Sequence, residues 1–250
     1  MASPTFVSAG TANASATTAL PGAPTSTLQN DIWLCILQTS NQNTGTVPTA
    51  TNLTFVEVTN SPQGVGTAAS ANAVGLRVYW ARQGASAPGA VTVPASGNHD
   101  IAQILAFRGC ATGGNPWDVS QGGTFAGAAS TVLDGGFTPH STVADTLGVC
   151  IGAHSVDSNT TTATNFSDNG SGFASATFSD RSNCATNTGT GGGFGVGTVV
   201  LPNAIGLAQF RCTLSASSTN YVWFWIALLP VVIVPLPSLI TQPLTPARRR

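Results

Sequence analysis

The chain's 250 residues suffice for one large β domain or two small ones. Only 7% of them are charged and the formal net charge is -1, with no lysine and a single glutamate, Glu57. A chain so poor in cations lacks the basic surface that displaces counterions from phosphate, which argues against nucleic-acid binding. Its solubility falls to Ser, Thr, Asn and Gln, whose uncharged surfaces suit close, permanent packing between subunits.

Residues 1–29 are rich in Ala, Ser, Thr and Pro and read as an N-terminal arm or edge strand. Residues 31–37 form a short apolar run whose Ile and Trp content favours a buried strand. Residues 53–58 alternate loosely and predict a second strand. Residues 74–81 place Val74, Leu76, Val78 and Trp80 on one face, the alternation of a half-buried strand. A Gly/Ala/Pro turn at 84–89 follows, and then a strand at 101–107. Residues 111–142 are Gly- and Thr-rich and predict a long loop with one short strand near 131–133. Residues 145–153 are another strand. The stretch 155–193 is polar, with Phe166, Phe173 and Phe178 spaced through it. Strands at 194–201, 205–214 and 221–229 complete a set of about ten, and such short spacing is the pattern of a sandwich or jelly roll. No window carries a capped 3.6-residue apolar period.

The two halves echo each other. An Asp precedes an apolar strand containing Cys at Asp31 to Cys35 and again at Asp145 to Cys150. Two similar sheets of one sandwich, or coincidence between short apolar strands, would both produce this.

The tail is distinct. Residues 231–250 are apolar, broken by Pro235, Pro237, Pro243 and Pro246, and end in Arg248, Arg249 and Arg250. Proline forbids a regular helix and cannot donate to a sheet ladder. An extended arm lying in a groove of a neighbouring subunit is the economical reading. Residues 221–240 carry no charge, the length of a membrane span, but Pro230, Pro235 and Pro237 would leave backbone groups unsatisfied in lipid.

Candidate chemistry is sparse. His99, His140 and His154 lie near Asp100 and Asp157 in sequence, and a metal or acid/base site would need them to converge. Asp145, His154 and a serine could form a triad, yet no G-x-S-x-G elbow is present. Asp168, Asn169 and Gly170 resemble a fragment of a calcium loop without its closing Glu. The glycines at 189–197 lack the Lys of a phosphate loop and instead suit bending or close backbone approach. Cys35, Cys110, Cys150, Cys184 and Cys212 contain no C-x-x-C pair and read as buried small hydrophobes; disulfides formed after release from the cell are the alternative. Of the tryptophans, Trp33, Trp80, Trp223 and Trp225 fall in strands, leaving Trp117, between Pro116 and Asp118, as the exposed candidate for a surface contact.

Five segments together, at 31–37, 75–82, 101–109, 145–153 and 221–230, resemble in their order the β-sandwich, jelly-roll-like minor structural proteins of tailed bacteriophages, tail- or surface-associated. The similarity spans roughly residues 20–232 and lies in strand order rather than in a diagnostic motif. It implies a virion protein without a catalytic role.

The expectation is an all-β protein. Residues 30–230 form a single β-sandwich of jelly-roll type between an N-terminal arm or edge strand (1–29) and a C-terminal arm (231–250). No enzymatic activity, cofactor or metal is expected. The expected function is a tail-associated virion structural protein that forms homo-oligomers and contacts other virion proteins, with neither nucleic acid nor membrane as partner. Val231, Val232, Ile233, Val234, Leu236, Leu239, Ile240 and Leu244 are expected to bury against another subunit, and Arg248, Arg249 and Arg250 to meet acidic groups on a partner. The first twenty residues lack a signal peptide, which fits assembly in a host cytoplasm. Two rival roles are a capsid decoration or cement protein and a receptor- or glycan-binding tail or fibre module that contacts the host surface.

Overall fold

The computed structural model describes residues 2–42, 47–135, 141–168, 177–204 and 209–232. Its regular elements there are all strands. The first half contributes β1 (Thr5–Ala9), β2 (Asn13–Ser15), β3 (Ile32–Thr39), β4 (Thr49–Ala50), β5 (Leu53–Thr54), β6 (Val56–Glu57), β7 (Gln63–Val65), β8 (Val74–Arg82) and β9 (Asp100–Arg108). The second half contributes β10 (Trp117–Asp134), β11 (Thr146–His154), β12 (Ala163–Asp168), β13 (Phe178–Thr186), β14 (Gly192–Leu201) and β15 (Phe210–Leu228).

Each half makes its own antiparallel sheet. The first runs β1-β9-β3-β8-β6, with β2 also on β9 and β7 also on β8; the second runs β10-β15-β11-β14-β13, with β12 also on β15. β4 and β5 form a separate two-stranded ladder. The two main paths have one connectivity. Counting along each half, the first strand lies outermost, followed by the fifth, the second, the fourth and the third. A jelly roll threads its strands through both sheets from both halves. The all-β expectation holds, this topology does not confirm a single jelly roll, and the echo between the halves is structural.

The correspondence extends to residues. Cys35 sits in the central strand β3 opposite Tyr79 and Ile104. Cys150 sits in the central strand β11 opposite Gly197 and Trp225. Five residues before each cysteine the backbone turns through the left-handed region, at Asn30 (φ 72) and at Asp145 (φ 61). The equivalent pair is thus Asn30 and Asp145, one position away from the Asp31–Asp145 match visible in sequence.

The sheets share a core. Ile32, Leu34, Ile36, Leu76 and Val78 from the first meet Leu147, Val149, Ile151, Phe194 and Phe224 from the second. Both outer faces are covered too. Trp33, Cys35, Tyr79 and Ile104 pack beneath Leu53, Phe55, Val91 and Val93. Cys150, Trp223 and Trp225 pack with Leu133, Phe166, Phe210 and Cys212. Burial on both faces explains why these strands read as continuous apolar runs. Each large side chain so enclosed contributes about 1.5–3 kcal/mol.

Several expectations change. The strand at 74–82 does place Val74, Leu76 and Val78 in the shared core, but its other face, including Arg77 and Tyr79, is buried as well. The stretch expected as a long loop holds the 18-residue strand β10. The polar stretch 155–193 holds β12 and β13. Within residues 1–29, β1 and β2 pair with β9 along one edge. The strand from 221 onward is continuous with residues 210–214, because β15 lies between β10 and β11 at one end and between β10 and β12 at the other.

The glycines after position 191 owe their place to close packing. A Cβ on Gly195 would overlap the Ala163 carbonyl, and one on Gly197 would overlap the Phe166 ring. β12 therefore lies directly against β14, which is the close approach the glycine run predicts.

Candidate functional site

Among the described residues, those singled out for chemistry form neither a metal cluster nor a triad. Asp145 precedes β11 and His154 ends it, so about 30 Å of extended chain separates them at roughly 3.3 Å per residue. No triad forms. His99 is fully buried, with Nε2 3.1 Å from Gln38 Oε1 and Nδ1 3.1 Å from Asn98 Oδ1. His154 is also fully buried; its Nδ1 accepts the Val156 N–H at 3.2 Å. Burial holds the pKa of both imidazoles down to about 4, opposed at His99 by the charge of Asp157. Both are neutral structural residues at pH 7. Among the described residues no group of three or more His, Cys, Asp or Glu could hold a metal ion. His140, Asn169 and Gly170 lie outside the described residues.

Trp117 is not on an exposed loop. It opens β10, is 8% exposed, and meets Trp80 edge-on with ring centroids 5.4 Å apart. Trp33, Trp223 and Trp225 are buried. None of these offers a sugar platform.

A polar network closes one end of the molecule, and its participants gave no signal in sequence. Asn98 Oδ1 accepts from the Thr190 N–H at 2.8 Å and the Thr190 hydroxyl at 3.1 Å. Thr190 also meets the Ser40 hydroxyl at 2.7 Å, and the Ser40 hydroxyl donates to the Ser70 carbonyl at 3.0 Å. Gln38, Ser40 and Asn98 belong to the first half and Thr190 to the turn between β13 and β14. The network fastens one half to the other, since a buried polar group left without its partner costs about 1–3 kcal/mol.

At another place the two halves meet through their last strands. Cys110 bridges Pro230; the Ala111 N–H donates to the Leu229 carbonyl at 2.9 Å and the Val231 N–H to the Gly109 carbonyl at 2.8 Å. Val231 therefore belongs to the domain, not to a free arm. It lines a cleft of about 190 Å³ with Leu28, Asp31, Arg108 and Cys110. The Arg108 guanidinium grips the Asp31 carboxylate there through Nε at 3.0 Å and Nη2 at 2.7 Å, and Asp31 also accepts the Leu28 N–H at 2.8 Å. The next residue, Val232, is 65% exposed. Ile233, Val234, Leu236, Leu239, Ile240, Leu244, Arg248, Arg249 and Arg250 lie outside the described residues.

Residues 221–228, the first part of the uncharged 221–240 stretch, are the end of β15 inside the second sheet. No helix among the described residues is long and apolar enough to cross a membrane.

Compared with known proteins, the chain matches no family model, no curated protein and no solved structure.

Proposed function

We propose that this chain is a non-enzymatic structural protein of a bacteriophage particle, tail-associated, whose copies assemble and are latched by the segment that follows Val232. The observation that carries the reading is the exposure of Val232 directly after the bonded Val231. The outer faces of both sheets are covered by the chain's own residues. Val231 lines a cleft with Leu28, Val232 is 65% exposed, and the residues that follow in sequence are apolar and Pro-punctuated. Apolar sequence of this kind, if left in water, calls for a partner to cover it. A second copy or another virion protein supplies one, and the near-neutral surface removes long-range repulsion between copies. The role proposed is assembly in a host cytoplasm, without cofactor, nucleic acid or membrane.

The test is immunolabelling of purified virions by negative-stain imaging, together with deletion of residues 233–250. Label along the tail supports the reading. Label over the head makes the chain a capsid decoration protein instead, and absence of label from every particle overturns a virion role. The deletion spares the Val231–Gly109 bond, so the melting temperature should hold while incorporation into particles is lost.

A further inference from the structure

We infer that β10 is the edge through which two copies of this chain pair, antiparallel, about a two-fold axis. The inference deepens the assembly reading above and rests on it for the identity of the partner. It begins from the four outer edges of the two main sheets, because an exposed edge presents unpaired N–H and C=O groups that invite another strand.

Three of these edges are blunted. β1 is five residues long, is bulged between Phe6 and Ser8, and has the Ser8 hydroxyl tied to the Thr25 carbonyl at 2.8 Å. The β6/β7 edge is two fragments of two and three residues, with Pro62 between them. β13 carries Asp180 and Arg181 at a bulge, and the Asp180 carboxylate accepts the N–H groups of Asn165 at 2.8 Å and Phe166 at 3.1 Å. Charge, proline, bulges and short length are the devices by which sheets avoid unwanted pairing.

β10 has none of these over residues 120–126. Its register against β15 runs unbroken from Ser120 opposite Ile226 to Ala126 opposite Asn220. The sequence there is Ser-Gln-Gly-Gly-Thr-Phe-Ala, with no charge and no proline. Ser120 is held from the far side by Asn60 and Thr59. Among the described residues, the backbone hydrogen bonds of residues 121–126 go to β15. Phe125 stacks on Tyr221 at 4.6 Å between ring centroids yet is 38% exposed, and Thr124 and Ala126 are exposed beside it.

The internal repeat supplies a comparison. β1 and β10 hold the same place in the two halves, each outermost beside the last strand of its half. β1 is bulged within its five residues and tied down; β10, though bulged on either side, runs regular and open over residues 121–126. The same site has been closed in one half and left open in the other. The occupant is a second β10. The opposite edge of this sheet, β13, is charged and engaged, so head-to-tail pairing is disfavoured, while antiparallel pairing of a strand with its own copy closes on itself. The exposed Phe125 rings then cover apolar surface across the new seam.

The test is sedimentation velocity of the full chain, wild type against the double variant Thr124→Lys, Ala126→Lys, with amide hydrogen exchange on both. Both substituted positions are exposed, and unchanged circular dichroism checks the fold. Wild type should sediment at twice the 25.2 kDa chain mass or a higher even multiple, with amides at 121–126 protected. The variant should lose at least half the mass and that protection. A monomeric wild type overturns the inference, as does a variant that keeps both its mass and its protection. If deletion of residues 233–250 alone yields monomers, the arm and not β10 makes the contact, which overturns this inference while leaving the assembly reading intact.

Discussion

Asn98 and Thr190 are joined twice: one amide oxygen of Asn98 takes both the backbone N–H and the hydroxyl of Thr190, at 2.8 Å and 3.1 Å. The same oxygen lies 3.1 Å from His99 Nδ1. Asn98→Ala removes the acceptor of the Thr190 N–H and one contact each of the Thr190 hydroxyl, which keeps Ser40, and of His99 Nδ1. Leaving the Thr190 N–H unpaired should cost about 2 kcal/mol. For a chain of this size that corresponds to a fall of about 4–8 °C in melting temperature. Thermal denaturation checks it, and a melting point unchanged within a degree would mean that the network does not hold the halves together.

Acid should loosen the molecule through its histidines. His99 and His154 have folded pKa values held down to about 4 by burial, against an ordinary 6.5. Between those limits the unfolded chain binds more protons than the folded one, so stability is complete above pH 6.5 and falls as the pH drops towards 4. Each histidine accounts for about 3 kcal/mol over the whole window, at about 1.4 kcal/mol per unit. Asp100, its carboxyl pushed up by burial, works in the opposite sense and softens the fall at the acid end. Chemical denaturation at pH 7.5, 6 and 5 should give a declining unfolding free energy, and His154→Asn should flatten part of that slope. A profile level from pH 7.5 to 5 would show that the rings already titrate normally in the folded state.

The strands that sequence exposes and those it hides differ in what covers them. β3, β8, β9, β11, β14 and the end of β15 are buried on both faces, so their composition alone marks them. β10 is different. Residues 121–126 are Gln, Gly, Gly, Thr, Phe and Ala, with no apolar alternation and a single large side chain, and they are extended because β15 offers a ladder. The shift in the repeat, from Asp31 to Asn30, has a similar cause: what the halves share is a left-handed backbone position, which Asn and Asp both tolerate. Trp117 reads as exposed because Pro116 and Asp118 flank it, and only the fold brings Trp80 against it. Gln38, Asn98 and Thr190 are ordinary residues in a chain full of Asn and Thr, and nothing local foretells their meeting.

All five cysteines are buried thiols without disulfides. Burial pushes the pKa of Cys35 and Cys110 up to about 12, so neither presents thiolate at neutral pH. A thiol reagent at pH 8 should therefore label none of the five in the native protein and all five in denaturant, under non-reducing conditions. Fewer than five labels after denaturation would reveal a disulfide.

Gly148 and Trp33 hold equivalent positions in the two central strands, two residues before Cys150 and Cys35. The first sheet puts its indole on the central strand at Trp33; the second puts it on the neighbouring strand at Trp225, whose ring lies where a Cβ of Gly148 would be. At this position the bulk on the two outer faces is thus carried by different strands, Trp33 lying opposite Ala81 and Ala106 and Trp225 opposite Cys150. Gly148→Ala should force the Trp225 ring out of its seat, and overpacking of this kind costs about 1–3 kcal/mol. Gly84 has nothing within contact distance of an added Cβ, so Gly84→Ala should be neutral or slightly stabilising by restricting the unfolded chain. Urea denaturation of the two variants side by side separates the effects. A drop in midpoint for Gly148→Ala alone, with altered tryptophan emission, fits a ring displaced from its seat; equal midpoints would mean that the second sheet can accommodate a methyl group there, and that the glycine is not required by Trp225.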